Sequence, residues 1–154
     1  MPRRRTHVRV GAVSGAVSGA GLAAYRSVGQ RPWPRLIEIA GGGARGARGG
    51  CFPDVLEPPY WPGHRGPAHS VSALVLIGRV VYDKLDEWQA TLRRHADRCA
   101  EKRAEYEPGS LLAMAWALAE AALRFTAGLL AGVAAGYISH IGLDALTPAG
   151  ITLI

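Results

Sequence analysis

Two rows of glycines spaced four residues apart most constrain what this chain can fold into. Each row holds three glycines, and the six positions are Gly11, Gly15, Gly19, Gly128, Gly132 and Gly136. On a helix this spacing forms a shallow groove, along which the backbone of a second helix can approach closely. Glycine costs about 1 kcal/mol relative to alanine inside a helix, so the rows either serve close contact or are not helical. We predict helices, over residues 10–25 and from 111 to about 146.

The rest of the chain adds a third long helix. An apolar stretch at 71–81 continues into a densely charged segment at 83–106, whose two signs of charge predict a solvated helical extension. Pro108 and Gly109 end it, and Ser110 is a good N-cap for the next helix. With 154 residues, the chain is long enough to bury one core. We therefore predict a single all-α domain over 1–154, a bundle of about four to five helices with glycine-faced packing.

Residues 41–50 read Gly-Gly-Gly-Ala-Arg-Gly-Ala-Arg-Gly-Gly. This low-complexity composition is typical of a mobile linker, and we predict a flexible loop. The alternative is a phosphate contact made by its two arginines. The segment does not match a Walker A loop, which ends in Gly-Lys-Ser or Gly-Lys-Thr.

Charge and hydropathy favour a membrane over nucleic acid. Residues 1–50 hold nine arginines and one acidic residue, whereas the rest of the chain has nine basic and eleven acidic residues. No nucleic-acid-binding motif accompanies the basic part, so we do not expect nucleic acid as a partner. Arg3, Arg4 and Arg5 precede an apolar stretch instead, as at the positive flank of a membrane-associated segment. The longest uncharged stretch of the last helix, 125–139, has fifteen residues, fewer than the about twenty of a simple span.

Residues 63–70 concentrate more chemistry than any other stretch. They contain His64, Arg65 and His69, and the glycines and Pro67 between them can bend the backbone so that the two imidazoles converge. A polar loop leading into a helix is the simpler alternative. Asp54 lies shortly before, in a segment with four prolines, where a structural turn is again the alternative.

The second glycine row continues into two further residues of metal-binding type. His140 and Asp144 lie one turn apart and project to the same side of a helix, although an ordinary hydrogen-bonded pair has the same spacing. If the two glycine rows pack antiparallel, His7 at the start of the first row comes close to this pair. Six residues can then converge as metal ligands: His7, Asp54, His64, His69, His140 and Asp144.

At these positions the sequence resembles the YdjM-like inner-membrane metal-dependent hydrolases, a family distantly similar to zinc phospholipase C and P1-type nucleases. The matching motifs are Thr6-His7 with Gly11, Pro53-Asp54, the string from Gly63 to Ser70, and Gly136-Tyr137 with Ser139, His140, Asp144, Leu146, Thr147, Pro148 and Gly150. The family's loop reads Pro-Asp-x-Asp-His, whereas this chain has Leu56 and Glu57 in its last two positions. Two ligands are lost there unless Glu57 substitutes. Ala68 replaces a usual threonine.

The resemblance implies hydrolysis of an ester, most simply a phosphoester or lipid-like substrate, with zinc or another divalent metal at the bacterial inner membrane or its cytoplasmic face. Asp54 or Asp144 would be the general base, and Arg65 would neutralise charge on a phosphoryl oxygen. The alternative for Arg65 is a salt bridge to Glu57 or Asp54. Ser70 and Ser139 would orient imidazoles.

A second hypothesis comes from a different class of protein. In it the chain is a non-catalytic, membrane-associated interaction protein with a protein partner, and its metal is structural. Chelation would then unfold the protein, with no hydrolytic activity to lose.

Overall fold

A computed structural model of the chain describes residues 4–26, 32–57 and 67–146. Within these ranges the protein is helical and contains no strand, which confirms the predicted all-α bundle. The elements are α1 (Arg4–Arg26), α2 (Pro32–Gly49), α3 (Phe52–Leu56), a single 3₁₀ turn (Pro67–His69), α4 (Val71–Ala104) and α5 (Leu111–Ala145).

The ends of the two longest helices follow the local sequence. Ser110 caps α5 by accepting the amide hydrogen of Ala113, as predicted. Gly109 adopts a φ of 87° in the turn between α4 and α5, a conformation that disfavours other residues. Proline is favoured at the first position of a helix, but Pro67 does not open α4. It begins the separate 3₁₀ turn, and Ser70 caps α4 through the amide of Ala73.

The segment 41–50 is not a flexible loop, contrary to its composition. Residues 41–49 form the second half of α2, which is the central helix of the glycine-packed part of the bundle. Glycine loses more backbone entropy on folding than other residues do, so placing it in a helix costs free energy. Here that cost is offset by contacts on two sides at once, since α2 packs against both α1 and α5.

The glycine rows of α1 and α5 both pack on this helix. A Cβ atom added at Gly15 or at Gly132 would overlap the carbonyl oxygen of Gly42, and one added at Gly11 or Gly136 would overlap that of Gly46. Helix backbones this close leave no room for a side chain at these positions, so only glycine fits there.

The order of these contacts fixes the helix directions. Gly11 contacts Gly46 of α2, and Gly15, four residues later, contacts the earlier residue Gly42, so α1 is antiparallel to α2. On α5, Gly132 contacts Gly42 and Gly136 contacts the later residue Gly46, so α5 is parallel to α2 and antiparallel to α1. The two glycine rows are therefore antiparallel, the condition for His7 to approach His140 and Asp144, but their closest neighbours are on α2, a helix absent from the prediction.

The charged part of α4 is not wholly solvated. His95 is exposed, as expected, but Arg93 is buried and donates to Glu38 of α2 at 2.9 Å. On α5, Arg124 pairs with Glu120 at 3.2 Å, the i,i+4 pair visible in the sequence, and also reaches Asp97 of α4 at 2.7 Å. These ion pairs join α2, α4 and α5 halfway along the bundle.

By length and composition, α5 is the helix in the described ranges that could cross a membrane. Large apolar side chains are exposed along it and along α1. They include Val13, Val17, Leu111, Leu112, Met114, Leu118, Val133 and Ile138.

Candidate functional site

His140 lies at the centre of the candidate site, and its imidazole is completely buried (0% exposed). Its Nδ1 is 2.6 Å from the carbonyl oxygen of Gly50, just beyond the end of α2. A carbonyl only accepts hydrogen bonds, so Nδ1 carries the proton and donates it. The other ring nitrogen, Nε2, lies on the opposite side of the ring and is the atom that could bind a metal in the neutral tautomer.

Two carboxylates face that nitrogen. Nε2 of His140 is 3.3 Å from Oδ2 of Asp144, one turn further along α5, and 3.6 Å from Oδ1 of Asp54 on α3. The Asp144 side chain is 6% exposed and that of Asp54 is 27% exposed. Helical spacing explains the first neighbour, whereas the second lies on α3, which follows α2 after Gly50 and Cys51.

The short helix α3 holds Asp54 near the end of the bundle. Cys51 precedes it, Pro53 is buried in its first turn, and the amide of Glu57 closes it by donating to the carbonyl of Pro53 at 2.9 Å. Proline near a helix start costs no hydrogen bond and fixes the backbone, so the Pro-Asp pair suits this position.

The turn Pro67–His69 is held from two sides. The amide of Ala68 donates to Oε1 of Glu57 at 3.0 Å, and the carbonyl of Ala68 accepts from the hydroxyl of Tyr137 at 2.6 Å. Burial, and secondarily the Glu57 carboxylate, raise the pKa of Tyr137, so the phenol stays protonated as a donor. Ser70 closes the turn by donating to the carbonyl of Pro67 at 2.6 Å.

The two serines make hydrogen bonds to backbone groups close in sequence. Ser70 caps α4 and donates to the carbonyl of Pro67, and Ser139 donates to the carbonyl of Gly136 in its own helix at 2.8 Å. Their predicted contacts with the imidazoles of His7, His64 and His69 lie outside the described side chains.

The remaining candidate ligands are only partly placed. His7 lies on α1, one turn before Gly11, which puts its backbone at the same end of the bundle as Gly50. His69 lies on the 3₁₀ turn. The side chains of both histidines, and all of His64 and Arg65, fall outside the described part of the structure.

The described side chains fit a metal in chemistry but do not complete a site. An imidazole nitrogen beside two carboxylates offers the donor types that zinc takes, and the Nδ1 hydrogen bond to a carbonyl is the usual support of a ligating histidine. Among the described residues, however, no group of three His, Cys, Asp or Glu side chains is arranged to hold a metal ion.

Sequence reasoning missed two contributors to this site. Gly50 was assigned to a flexible loop, and Tyr137 was noted only as part of a motif. A polar aromatic residue one turn before His140 on an otherwise apolar helix is the signal that could have found Tyr137. Nothing local marks Gly50, because its carbonyl meets an imidazole 90 residues away.

Comparison of the chain with family models, with curated proteins and with solved structures finds no match. The resemblance to the YdjM-like family therefore remains a prediction from the motifs, and function has to be argued from the site.

Proposed function

We propose that this protein is a membrane-associated, metal-dependent hydrolase that cleaves an ester bond, most simply a phosphoester. The observation that carries the proposal is the hydrogen bond from His140 Nδ1 to Gly50, which leaves Nε2 facing Asp54 and Asp144. It supports a ligand function because it fixes both the tautomer and the direction of the imidazole.

In this proposal His140 and Asp144 bind a divalent metal, with zinc favoured by the mixture of imidazole and carboxylate donors. His7, His64 and His69 are the residues proposed to complete the ligand set. A metal bound there would supply a water of lowered pKa and would polarise the scissile bond.

The two carboxylates take different roles. Asp54 is the more exposed of the pair and lies beside the ligand nitrogen, so it is the better general base for a water arriving from solvent. Asp144 is nearly buried and suits a fixed ligand. Arg65 is proposed to neutralise the charge that develops on a phosphoryl oxygen.

The exposed apolar side chains of α1 and α5 support the membrane part of the proposal. A contiguous apolar surface on a soluble monomer is costly, and a bilayer would cover it. The location proposed is the bacterial inner membrane or its cytoplasmic face.

Metal content and hydrolysis test the proposal together. Purified protein should retain zinc, should hydrolyse p-nitrophenyl phosphate or bis-p-nitrophenyl phosphate, and should lose and regain this activity on chelation and zinc addition. Asp54→Asn should abolish activity with the fold kept, because the side chain is isosteric and partly exposed. His95→Ala, on the exposed face of α4, is the matched control for His140→Ala. A protein that retains no zinc contradicts the proposal.

A structural metal in a non-catalytic interaction protein is the second candidate. The complete burial of His140 favours it, since a catalytic metal keeps one position open to solvent. Chelation would then lower the thermal midpoint strongly, and neither phosphate ester would be cleaved by the zinc-loaded protein.

A further inference from the structure

Ala68 has both of its backbone polar groups bound by side chains from distant parts of the chain. Glu57, the last residue of the α3 segment, accepts its amide hydrogen, and Tyr137 of α5 donates to its carbonyl. The two partners lie 11 residues before and 69 residues after Ala68. A 3₁₀ turn of three residues is too short to hold its own position, so these two bonds decide where it sits.

Both partners also belong to the elements that carry the candidate ligands. Glu57 is three residues beyond Asp54, and Tyr137 is three residues, about one turn, before His140. The bound turn carries His69. The backbone of one residue, Ala68, therefore ties together the three segments on which Asp54, His69 and His140 lie.

We propose that Glu57 and Tyr137 are positioning residues that clamp Ala68 and so fix the His69 turn against α3 and α5. The consequence for metal binding rests on the proposed function. The clamp assigns Glu57 a positioning role, in which its Oε1 accepts the amide hydrogen of Ala68.

Metal affinity separates a clamp from a ligand. Glutamine keeps a carbonyl oxygen that can accept the Ala68 amide hydrogen but is a poor metal ligand, so Glu57→Gln should bind Co²⁺ within a few-fold of the unmodified protein. Glu57→Ala and Tyr137→Phe should each weaken binding by about 10- to 100-fold, as for other groups that orient ligands. The visible spectrum of bound Co²⁺ should be the same in Glu57→Gln as in the unmodified protein.

Matched controls are available away from the candidate site, on α4 and just beyond its end. Tyr106→Phe removes a phenol hydroxyl beyond the end of α4, and Glu101→Gln neutralises an exposed carboxylate on α4. Neither should alter Co²⁺ affinity. If Glu57→Gln loses affinity as fully as Glu57→Ala, or if its Co²⁺ spectrum changes, then Glu57 is a ligand and the clamp assignment is wrong.

Hydrogen exchange tests the clamp without metal. In chelator, peptides covering 67–73 should exchange faster in Tyr137→Phe and Glu57→Ala than in the unmodified protein and the two controls, while peptides of α5 near Arg124 exchange equally in all. Unchanged exchange at 67–73 would overturn the clamp. Absence of Co²⁺ binding by the unmodified protein would instead count against the proposed function, so the two failures are distinguishable.

Discussion

At the scale of single residues, the candidate site depends on which nitrogen of His140 carries a proton. The Gly50 carbonyl settles this for a neutral ring, because it can only accept. The i,i+4 spacing of His140 and Asp144 was readable from the sequence and places them 3.3 Å apart. The partner that fixes the tautomer could not be predicted, because every residue has a backbone carbonyl and the sequence does not indicate which one meets His140.

We expect His140→Ala to destabilise the metal-free protein by about 2–4 kcal/mol, because it leaves a cavity and removes a buried hydrogen bond. Urea unfolding in the presence of chelator measures the change. His95→Ala, which is exposed, should stay within about 0.5 kcal/mol. Equal effects of the two substitutions would show that the Gly50 contact contributes nothing.

At the scale of helices, glycine acts in opposite ways on two faces of α5. Gly132 faces the Gly42 carbonyl, where a Cβ would overlap backbone, whereas Gly142 has nothing within 4 Å of an added Cβ. The spacing of the rows predicts that they serve close packing, and that prediction is confirmed. Their partner was missed because glycine and alanine in 41–49 carry no apolar periodicity, the signal by which a helix is recognised.

Gly132→Ala should therefore lower the free energy of unfolding by several kcal/mol, as overpacking against backbone does. Gly142→Ala should raise it by up to about 1 kcal/mol, the difference in helix propensity. Chemical unfolding of the two variants, made on one helix with the same substitution, provides the comparison. A stabilised Gly132→Ala protein would contradict the close packing of α5 on α2.

The ion pairs between helices are a second feature that the spacing of residues in the sequence does not predict. Glu38 is the one acidic residue in the first fifty, and it lies buried against Arg93, 55 residues away. The i,i+4 pair of Glu120 and Arg124 was visible in the sequence, but its links to other helices were not. Within the described ranges, Nη1 of Arg93 is the buried side-chain nitrogen or oxygen that has no hydrogen-bond partner.

Glu38→Ala should destabilise the protein by about 3–5 kcal/mol, because it leaves Arg93 buried without its carboxylate. Lys84→Ala removes a pair with Glu87 in which both side chains are 64% exposed, and should cost at most about 0.5 kcal/mol. Unfolding free energies of the two variants test this. Replacing Glu38 and Arg93 together by methionine should recover much of the loss.

At the scale of the whole molecule, the candidate site lies at one end of the bundle, and exposed apolar side chains run along α5. The candidate site lies at the end of the bundle where α2 and α5 finish and α4 begins, while the turn between α4 and α5 lies at the opposite end and the apolar side chains of α5 run between them. Exposed apolar side chains also lie at the site itself, at Phe52, Val55 and Leu56 on α3.

If α5 contacts lipid, the protein should co-sediment with phospholipid vesicles. Leu118→Lys should reduce the bound fraction, because it places a charge on the apolar face. Glu101→Lys, the same side chain on the charged face of α4, should not reduce it. Equal binding by both variants would show that the exposed face of α5 is not the contact.

The sequence by itself determined the features that depend on neighbours a few residues apart: the helical class, the Ser110 cap, the continuity of α4, and the shared face of His140 and Asp144. Helical spacing and end signals are local, so they can be read without a fold. Only the tertiary structure decided that 41–49 is a helix, that Glu38 is buried against Arg93, and that Gly50 orients His140. Each of these depends on backbone or charged groups that distant segments bring together. In 41–49, the close packing that glycine's lack of a side chain allows outweighs its low intrinsic preference for a helix.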